Sequence, residues 1–209
     1  MTTVIGLTGG IASGKSTIAD YLRDLGAVIV EGDQLGHRVY EPGTSGFEKV
    51  VNEFGHDIVA EDGTIDRRVL GGKVFGAPEE MERLNGVMWP AIRELAEQEF
   101  REISEREGEV VVIFEAAVMI EAGWQDLVDE IWVVTTKKET AIDRLEKRNG
   151  YSREQALARI NSQMSNSQRR EYGDVKFDNS EDEVKLKGRV KYHWKRLLKR
   201  IDKPDKAKV

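Results

Sequence analysis

The chain alternates between short, nearly uninterrupted apolar runs and longer stretches in which apolar residues recur every three or four positions. Val4-Ile5-Gly6-Leu7-Thr8, Ala27-Val28-Ile29-Val30, Val110-Val111-Val112-Ile113-Phe114 and Ile131-Trp132-Val133-Val134-Thr135 are runs of the first kind, and Val175-Lys176-Phe177 is a shorter fifth. Continuous apolarity suits strands covered on both faces, as in a parallel sheet. Helical periodicity between the runs predicts an α/β fold with right-handed crossovers. The expected architecture is a three-layer α/β/α domain around a five-stranded parallel sheet.

Two of the intervening stretches are too long for simple crossovers. Residues 34–108 carry helical patterns at about 45–54, 66–75 and 79–107, with Pro90 after Trp89 read as a helix start. This stretch is expected to form a helical insertion on the substrate side. Residues 137–172 form a second, arginine-rich helical insertion, read as a lid, leaving about 1–33, 109–136 and 173–209 as the core of a single domain. Ser152-Arg153-Glu154-Gln155 reads as a capping box, and Ser180-Glu181-Asp182-Glu183 as another opening a final helix. The stripe Val190, Trp194, Leu197 and Ile201 gives that helix one apolar face.

Composition narrows the chemistry. The 209 residues hold 32 Lys+Arg, 38 Asp+Glu, 3 His and no cysteine, so disulfides, thiolate metal sites and thiol catalysis are excluded. The net charge of −6 argues against non-specific binding to nucleic acid or anionic membrane. It averages a body of −14 with a basic segment, residues 183–209, of +8, whose lysines read as the solvated side of a packed helix. The N-terminus lacks a secretory pattern and no apolar stretch reaches membrane-spanning length, so a cytoplasmic protein is expected.

Gly9-Gly10-Ile11-Ala12-Ser13-Gly14-Lys15-Ser16 fits the phosphate-loop pattern and lies between a predicted strand and a predicted helix, continuing into Thr17. Glycines let successive amides curl around a phosphate, the helix start adds positive charge, Lys15 reaches the terminal phosphates, and Ser16 suits Mg²⁺. No guanine-reading motif follows the fourth strand, where Thr135-Thr136-Lys137-Lys138 stands instead. By elimination, and because two helical insertions suit a substrate cap and a closing lid, a small-molecule kinase is favoured.

Ligands of parallel α/β sheets bind beyond the carboxyl ends of the strands. Asp33, after the second strand, is therefore either a base for an attacking hydroxyl or the N-cap of a helix starting at Gln34. Glu31 and Glu115, also at strand ends, are candidates for a magnesium-bound water or for plain surface polarity. Arg144 and Arg148 lie four apart on one predicted helix face, able to reach one phosphate chain or to pair with neighbouring acids. Arg159 and Gln163 repeat that spacing on the next predicted helix.

Taken together, these residues resemble the dephospho-coenzyme A kinase family. The likeness rests on Gly6–Thr17, Glu31-Gly32-Asp33, Gly63-Thr64-Ile65-Asp66-Arg67, Leu84-Asn85 through Pro90, Arg159 through Gln163 and Asp174 to Asn179. Phrases such as DQLGHRVYEPG and EAAVMIEAGWQDLVDEIW are especially similar to the kinase domain of animal bifunctional coenzyme A synthase. The resemblance implies ATP and dephospho-coenzyme A as substrates, Mg²⁺ with the ATP, and transfer to the ribose 3′-hydroxyl. It implies Asp33 as base, Lys15 as phosphate clamp, Arg144 and Arg148 as lid residues on the nucleotide, and Arg67, Glu121, Arg159 and Gln163 on the substrate side. Glu31 stands where the family usually has Asp, Gly32 where it has Ala or Ser, Trp89 where many members have His, and Gly173 where it has Ala. The other readings are a kinase of another nucleotide or small alcohol, and a non-catalytic nucleotide-binding regulator. Turnover separates the second from a kinase; acceptor choice separates the first.

Overall fold

The computed structural model describes residues 2–180 and 182–202, and its centre is one sheet of five strands. These are β1 (Thr3–Gly9), β2 (Val28–Glu31), β3 (Val111–Glu115), β4 (Glu130–Thr135) and β5 (Val175–Asp178), in the order β2-β3-β1-β4-β5. β1 pairs in parallel with β3, Thr3 opposite Val111, and with β4, Ile5 opposite Glu130; β4 pairs in parallel with β5, Trp132 opposite Val175. All five strands are parallel, as the unbroken apolar runs predict.

The chain divides into two compact units, one carrying the sheet and reaching Val30 and then resuming at Ile103, the other spanning Glu31–Glu102. In the sheet unit, α1 (Lys15–Asp24) and α9 (Glu183–Ile201) cover one face. Ile5 and Leu7 of β1, Ile113 of β3, Trp132 and Val134 of β4 and Phe177 of β5 pack there with Ile18, Leu22, Val190, Trp194 and Leu197. The stripe expected on the last helix thus faces the core, with Leu186 added and Ile201 partly buried. At Gly6, the next position along β1, an added Cβ would lie 2.5 Å from Met119 Sδ, so the backbone itself meets the neighbouring side chain.

Three helices separate β4 from β5: α6 (Lys138–Asn149), α7 (Arg153–Asn161) and α8 (Asn166–Glu171). The Ser152–Gln155 capping box forms as read, and a second joins Ser165 to Gln168. The box expected at Ser180 does not. Ser180 Oγ accepts from the Lys137 amide at 2.7 Å, and Asp182 caps α9 by accepting from the Val184 amide. Glu183, its expected reciprocal partner, instead accepts from the Tyr21 hydroxyl at 2.5 Å, which ties α1 to α9 and pushes the phenol up to about 12. Glu181 and residues 203–209, part of the basic segment, lie outside the described residues.

The second unit holds α2 (Gly32–Val39), α3 (Ser45–Phe54), α4 (Arg67–Val74) and most of α5 (Pro78–Glu107). Thr44 caps α3 and Asp66 caps α4, the latter accepting from the Arg68 and Val69 amides. Arg38 pairs with Glu99 at 2.6 Å, joining α2 to α5, and Arg83 joins α5 to Glu53 of α3 at 2.7 Å. Pro90 does not start a helix: it sits inside α5. A proline there removes the amide that would bond the Gly86 carbonyl. The buried stripe Leu84, Met88, Ala91, Ile92 and Ala96 runs straight through the proline, and that burial holds the helix continuous. Among the described residues, no helix is long and apolar enough to cross a membrane.

Two outcomes follow from this core. At Gly173 an added Cβ would lie 2.8 Å from Val133 Cγ2 and 3.2 Å from its Cβ, neither of which can swing away within β4. Gly173→Ala is therefore expected to cost about 1–3 kcal/mol by chemical denaturation, and the double change with Val133→Ala to cost less than the sum of the two single changes, because the Cγ2 clash is removed. His193 of α9 packs 5.5 Å from the Phe177 ring and 6.3 Å from Trp132. Burial, then the nearby Arg196 and Arg189, hold its pKa below the ordinary value, with Glu130 opposing. The unfolded chain therefore takes up the proton first, so acidification through about 6.5 destabilises the fold, and stability levels off above it. Thermal melts of wild type and His193→Gln should diverge in slope between pH 7 and 5.5, the variant being flatter.

Candidate functional site

The turn from β1 into α1 is shaped by its own backbone demands. Ser13 N bonds Gly10 O at 3.1 Å, Ala12 takes a left-handed φ of 56°, and Gly14 a φ of 91° as the N-cap residue of α1. Gly14 supplies no side chain, and the first helical bond runs from Ile18 N to Gly14 O, so the amides of Lys15, Ser16 and Thr17 stand outside the helix ladder. Ten residues of aligned dipole lie behind them.

Three of the loop's carbonyls accept from side chains, one within the motif and two from distant segments. Lys15 Nζ donates to Gly9 O at 3.2 Å, Arg144 Nη1 to Ala12 O at 3.0 Å and Asn179 Nδ2 to Ser13 O at 2.9 Å. Arg144 Nη2 and Thr136 Oγ1 both donate to Asn179 O, at 3.0 and 2.9 Å, which fixes Asn179 in turn. With its carbonyls tied back, the loop can turn amides toward an anion. Ile11 N is an exception, donating to Gln163 Oε1 at 2.8 Å.

Two cavities flank the loop. One of about 450 Å³ is lined by Ala12, Gly14, Thr17, Arg144, Arg148 and Asn179. The other, about 330 Å³, is lined by Gly10, Ile11, Thr136, Gln163 and Asn166. Between loop and sheet, Ser16 Oγ donates to Glu115 Oε1 at 3.0 Å, so a hydroxyl and a carboxylate end together beside the loop. These are hard oxygen donors on neighbouring elements, and they fit a Mg²⁺ that keeps several waters and takes its remaining ligands from phosphate.

The other candidates fall as follows. Lys15 and Ser16 lie at the start of α1, while Arg148 reaches its neighbour Asn149 Oδ1 and also lines the larger cavity. Asp33 is exposed and lies in the first turn of α2, whose N-cap is Glu31, so Asp33 is not the cap expected of a helix starting at Gln34. Arg67 is the first residue of α4, set there by the Asp66 cap, and its guanidinium lies 5.5 Å from the centre of the Tyr40 ring. Burial raises the pKa of the Tyr40 phenol, with Arg67 opposing. Arg159 stacks on Tyr151 at 4.1 Å. It does not share a helix face with Gln163, because α7 ends at Asn161 and Ser162 opens the turn into α8. Glu121 places both carboxylate oxygens on Arg169, at 2.7 and 3.3 Å.

Sequence reading passed over Arg169, Arg170 and Thr136, and did not single out Asn179 within its stretch. A single signal was available: Arg169-Arg170 follow a Ser-x-x-Gln capping box, which places them in the last turn of a short helix.

The sequence signature of the dephospho-CoA kinase family matches residues 3–184. The dephospho-CoA kinase of Geobacter sulfurreducens is 42% identical over 191 residues, 91% of this chain and 96% of that protein. That of Dehalococcoides mccartyi is 39% identical over 178 residues, covering 85% and 88%. Among solved structures, TT1252 from Thermus thermophilus superposes with a TM-score of 0.76 at 30% identity, over 94% of this chain and 96% of that one. The dephospho-CoA kinase from Campylobacter jejuni, at 24% identity and a TM-score of 0.70, shares the fold over 95% and 98% of the two chains.

Gly14 is constrained twice over: an added Cβ would lie 2.0 Å from Asn179 Nδ2, and its backbone has a positive φ. Gly14→Ala is expected to cost about 1–2 kcal/mol for the left-handed backbone alone and to weaken ATP binding at least about tenfold as the Asn179–Ser13 bond is displaced (a bond-loss scale of roughly 1.4 kcal/mol). Calorimetric titration checks this. Adding Asn179→Ala should relieve the clash without restoring affinity.

Proposed function

The chain belongs to the dephospho-CoA kinase family, and we propose that it transfers the γ-phosphoryl group of ATP to the ribose 3′-hydroxyl of dephospho-coenzyme A, giving coenzyme A and ADP. The observation that carries this reading is a loop whose Ala12 and Ser13 carbonyls are bound from outside by Arg144 and Asn179, beside a hydroxyl–carboxylate pair suited to magnesium. In the transfer, the bond between the 3′-oxygen and the γ-phosphorus forms as the bond to the β,γ-bridging oxygen breaks. The proton of the 3′-hydroxyl goes to Asp33.

Each residue then has a task. The amides of Lys15, Ser16 and Thr17 hold the β-phosphate, and Lys15 Nζ leaves Gly9 O to bridge the β- and γ-phosphates. The larger cavity, between Arg144 and Asn179, receives the adenosine part of ATP, with Arg148 at its rim. Ser16, with Glu115 and Glu31 through water, would hold Mg²⁺, which when bound neutralises charge developing on the phosphates. Arg67, in the unit formed by Glu31–Glu102, serves the acceptor's phosphates, and Arg159 the approach of the acceptor from the lid. Both substrates are water-soluble nucleotides, and the reading places the reaction in the cytosol.

The purified protein with ATP, Mg²⁺ and dephospho-coenzyme A should form coenzyme A, followed by chromatography, while nucleosides and small alcohols offered as acceptors should not be phosphorylated. Asp33→Asn should lower kcat by about 10²–10⁴-fold with little change in the KM for ATP. No coenzyme A from the wild type, or an Asp33→Asn variant with unchanged kcat, would overturn the assignment.

A further inference from the structure

The most deeply buried charge among the described residues is not at the phosphate loop. Arg169, in α8, has no exposed surface. Its Nη2 donates to Glu121 Oε1 at 2.7 Å, and its Nη1 reaches Glu121 Oε2 at 3.3 Å, Ala117 O at 3.1 Å and Thr8 Oγ1 at 3.5 Å. Thr8 Oγ1 itself donates to Ala117 O at 3.3 Å. Thr8 immediately precedes the first glycine of the loop, and Ala117 lies two residues beyond Glu115.

We propose that Arg169 is a positioning residue for phosphoryl transfer: anchored on Glu121, Ala117 and Thr8, it fixes α8 so that Gln163 reaches the Ile11 amide and sets the loop.

An ion pair this buried is a poor choice for stability alone. The desolvation of two charges rivals their attraction, and an apolar pair of similar volume often does as well. Arg169 Nε also has no hydrogen-bond partner among the described residues, so the guanidinium is held where its two Nη atoms are needed rather than where every donor is satisfied. What the pair supplies is location. α8 has six residues, too few to hold a position by its own helical stability. It is fastened to the carboxyl ends of two strands instead. Asn166 Nδ2 donates to Thr136 O at 2.8 Å and Arg170 Nη1 to Thr135 Oγ1 at 3.2 Å, both beside β4, while Arg169 reaches the end of β1.

From that base the path to the loop is short and stiff. The Ser165–Gln168 capping box fixes the entry to α8, and Gln163 stands two residues before it with its carboxamide oxygen on Ile11 N. Loss of the Arg169 anchor would leave Gln163 on a segment free to drift by the fraction of an ångström that breaks this bond. If that drift grows to about 1 Å at the reacting groups, the cost is about 10²-fold in rate.

The inference takes the importance of the loop from the kinase reading, but its central claim concerns one amide and is measured without catalysis. In the paired replacement Arg169→Met with Glu121→Met, both charges go together, so the melting temperature should stay within a few degrees of wild type. Hydrogen exchange at the Ile11 amide should rise at least about tenfold, the free-energy equivalent of one hydrogen bond, and kcat should fall by about 10²-fold. Adding Gln163→Ala should then do no further harm, because both changes remove the same contact. Ile11 exchange and kcat both within about threefold of wild type, or a Gln163→Ala loss that multiplies independently, would overturn the proposal. Should the paired variant fail to fold, Glu121→Gln keeps the shape and weakens the anchor; there the same two readouts must move together or the proposal falls. Altered Ile11 exchange in a protein that makes no coenzyme A would reject the dephospho-coenzyme A reading and leave the anchoring of the loop through Arg169 and Gln163 standing.

Discussion

A backbone loop can offer its amides to an anion only if its carbonyls are satisfied somewhere else, and this constraint governs the whole sheet unit. Each peptide that turns its N–H inward turns a carbonyl outward, where it needs a donor or water. Here Lys15, Arg144 and Asn179 supply those donors, and Thr136 holds the donor that holds Ser13. The loop's shape is therefore a property of β4, α6 and the end of β5 as much as of its own glycines.

The arginines of the region divide by what their planes are doing. Arg144 spends its two terminal nitrogens on backbone carbonyls, so it acts as part of the loop's framework and presents only its face to the adjoining cavity. Arg159 lies against an aromatic ring and Arg148 against an exposed amide, arrangements that free the side chain at little cost. Arg169 is the opposite case, with no surface to spare. A cluster of like charges in the sequence thus resolves into fixed, exchangeable and buried members, and the exchangeable ones are freest to follow a ligand that comes and goes.

Much of this was legible in the residues. Unbroken apolar runs gave away four of the strands because burial on both faces leaves no polar alternation, the shorter Val175-Lys176-Phe177 marked the fifth, and Gly9 to Ser16 could be read as a phosphate loop because glycine spacing and flanking elements agree. The Ser152 box was legible because its two bonds are local. Its apparent twin at Ser180 was not, since Lys137 and Tyr21, both distant in sequence, claim the two side chains on which it depended. Pro90 misled because a long buried stripe outweighs one missing hydrogen bond. Gln163 was put on one helix with Arg159 although α7 ends at Asn161, and Arg169 was missed because nothing in its neighbours announces that Glu121, 48 residues away, will meet it.

The order of the strands bears on how the protein comes into being. β1 is synthesised first yet lies at the middle of the sheet, and its partners β3 and β4 begin only at Val111 and Glu130. Until more than half of the chain has left the ribosome, the strand leading into the phosphate loop has nothing to pair with. The donors that shape the loop come later still: Arg144, Gln163 and Asn179 are 132, 152 and 166 residues from the atoms they bind. Such long-range closures are slow and come at the end. A nascent chain of this protein therefore carries its nucleotide motif exposed and unformed for most of its synthesis, and acquires the ability to grip a phosphate only as its last strand docks.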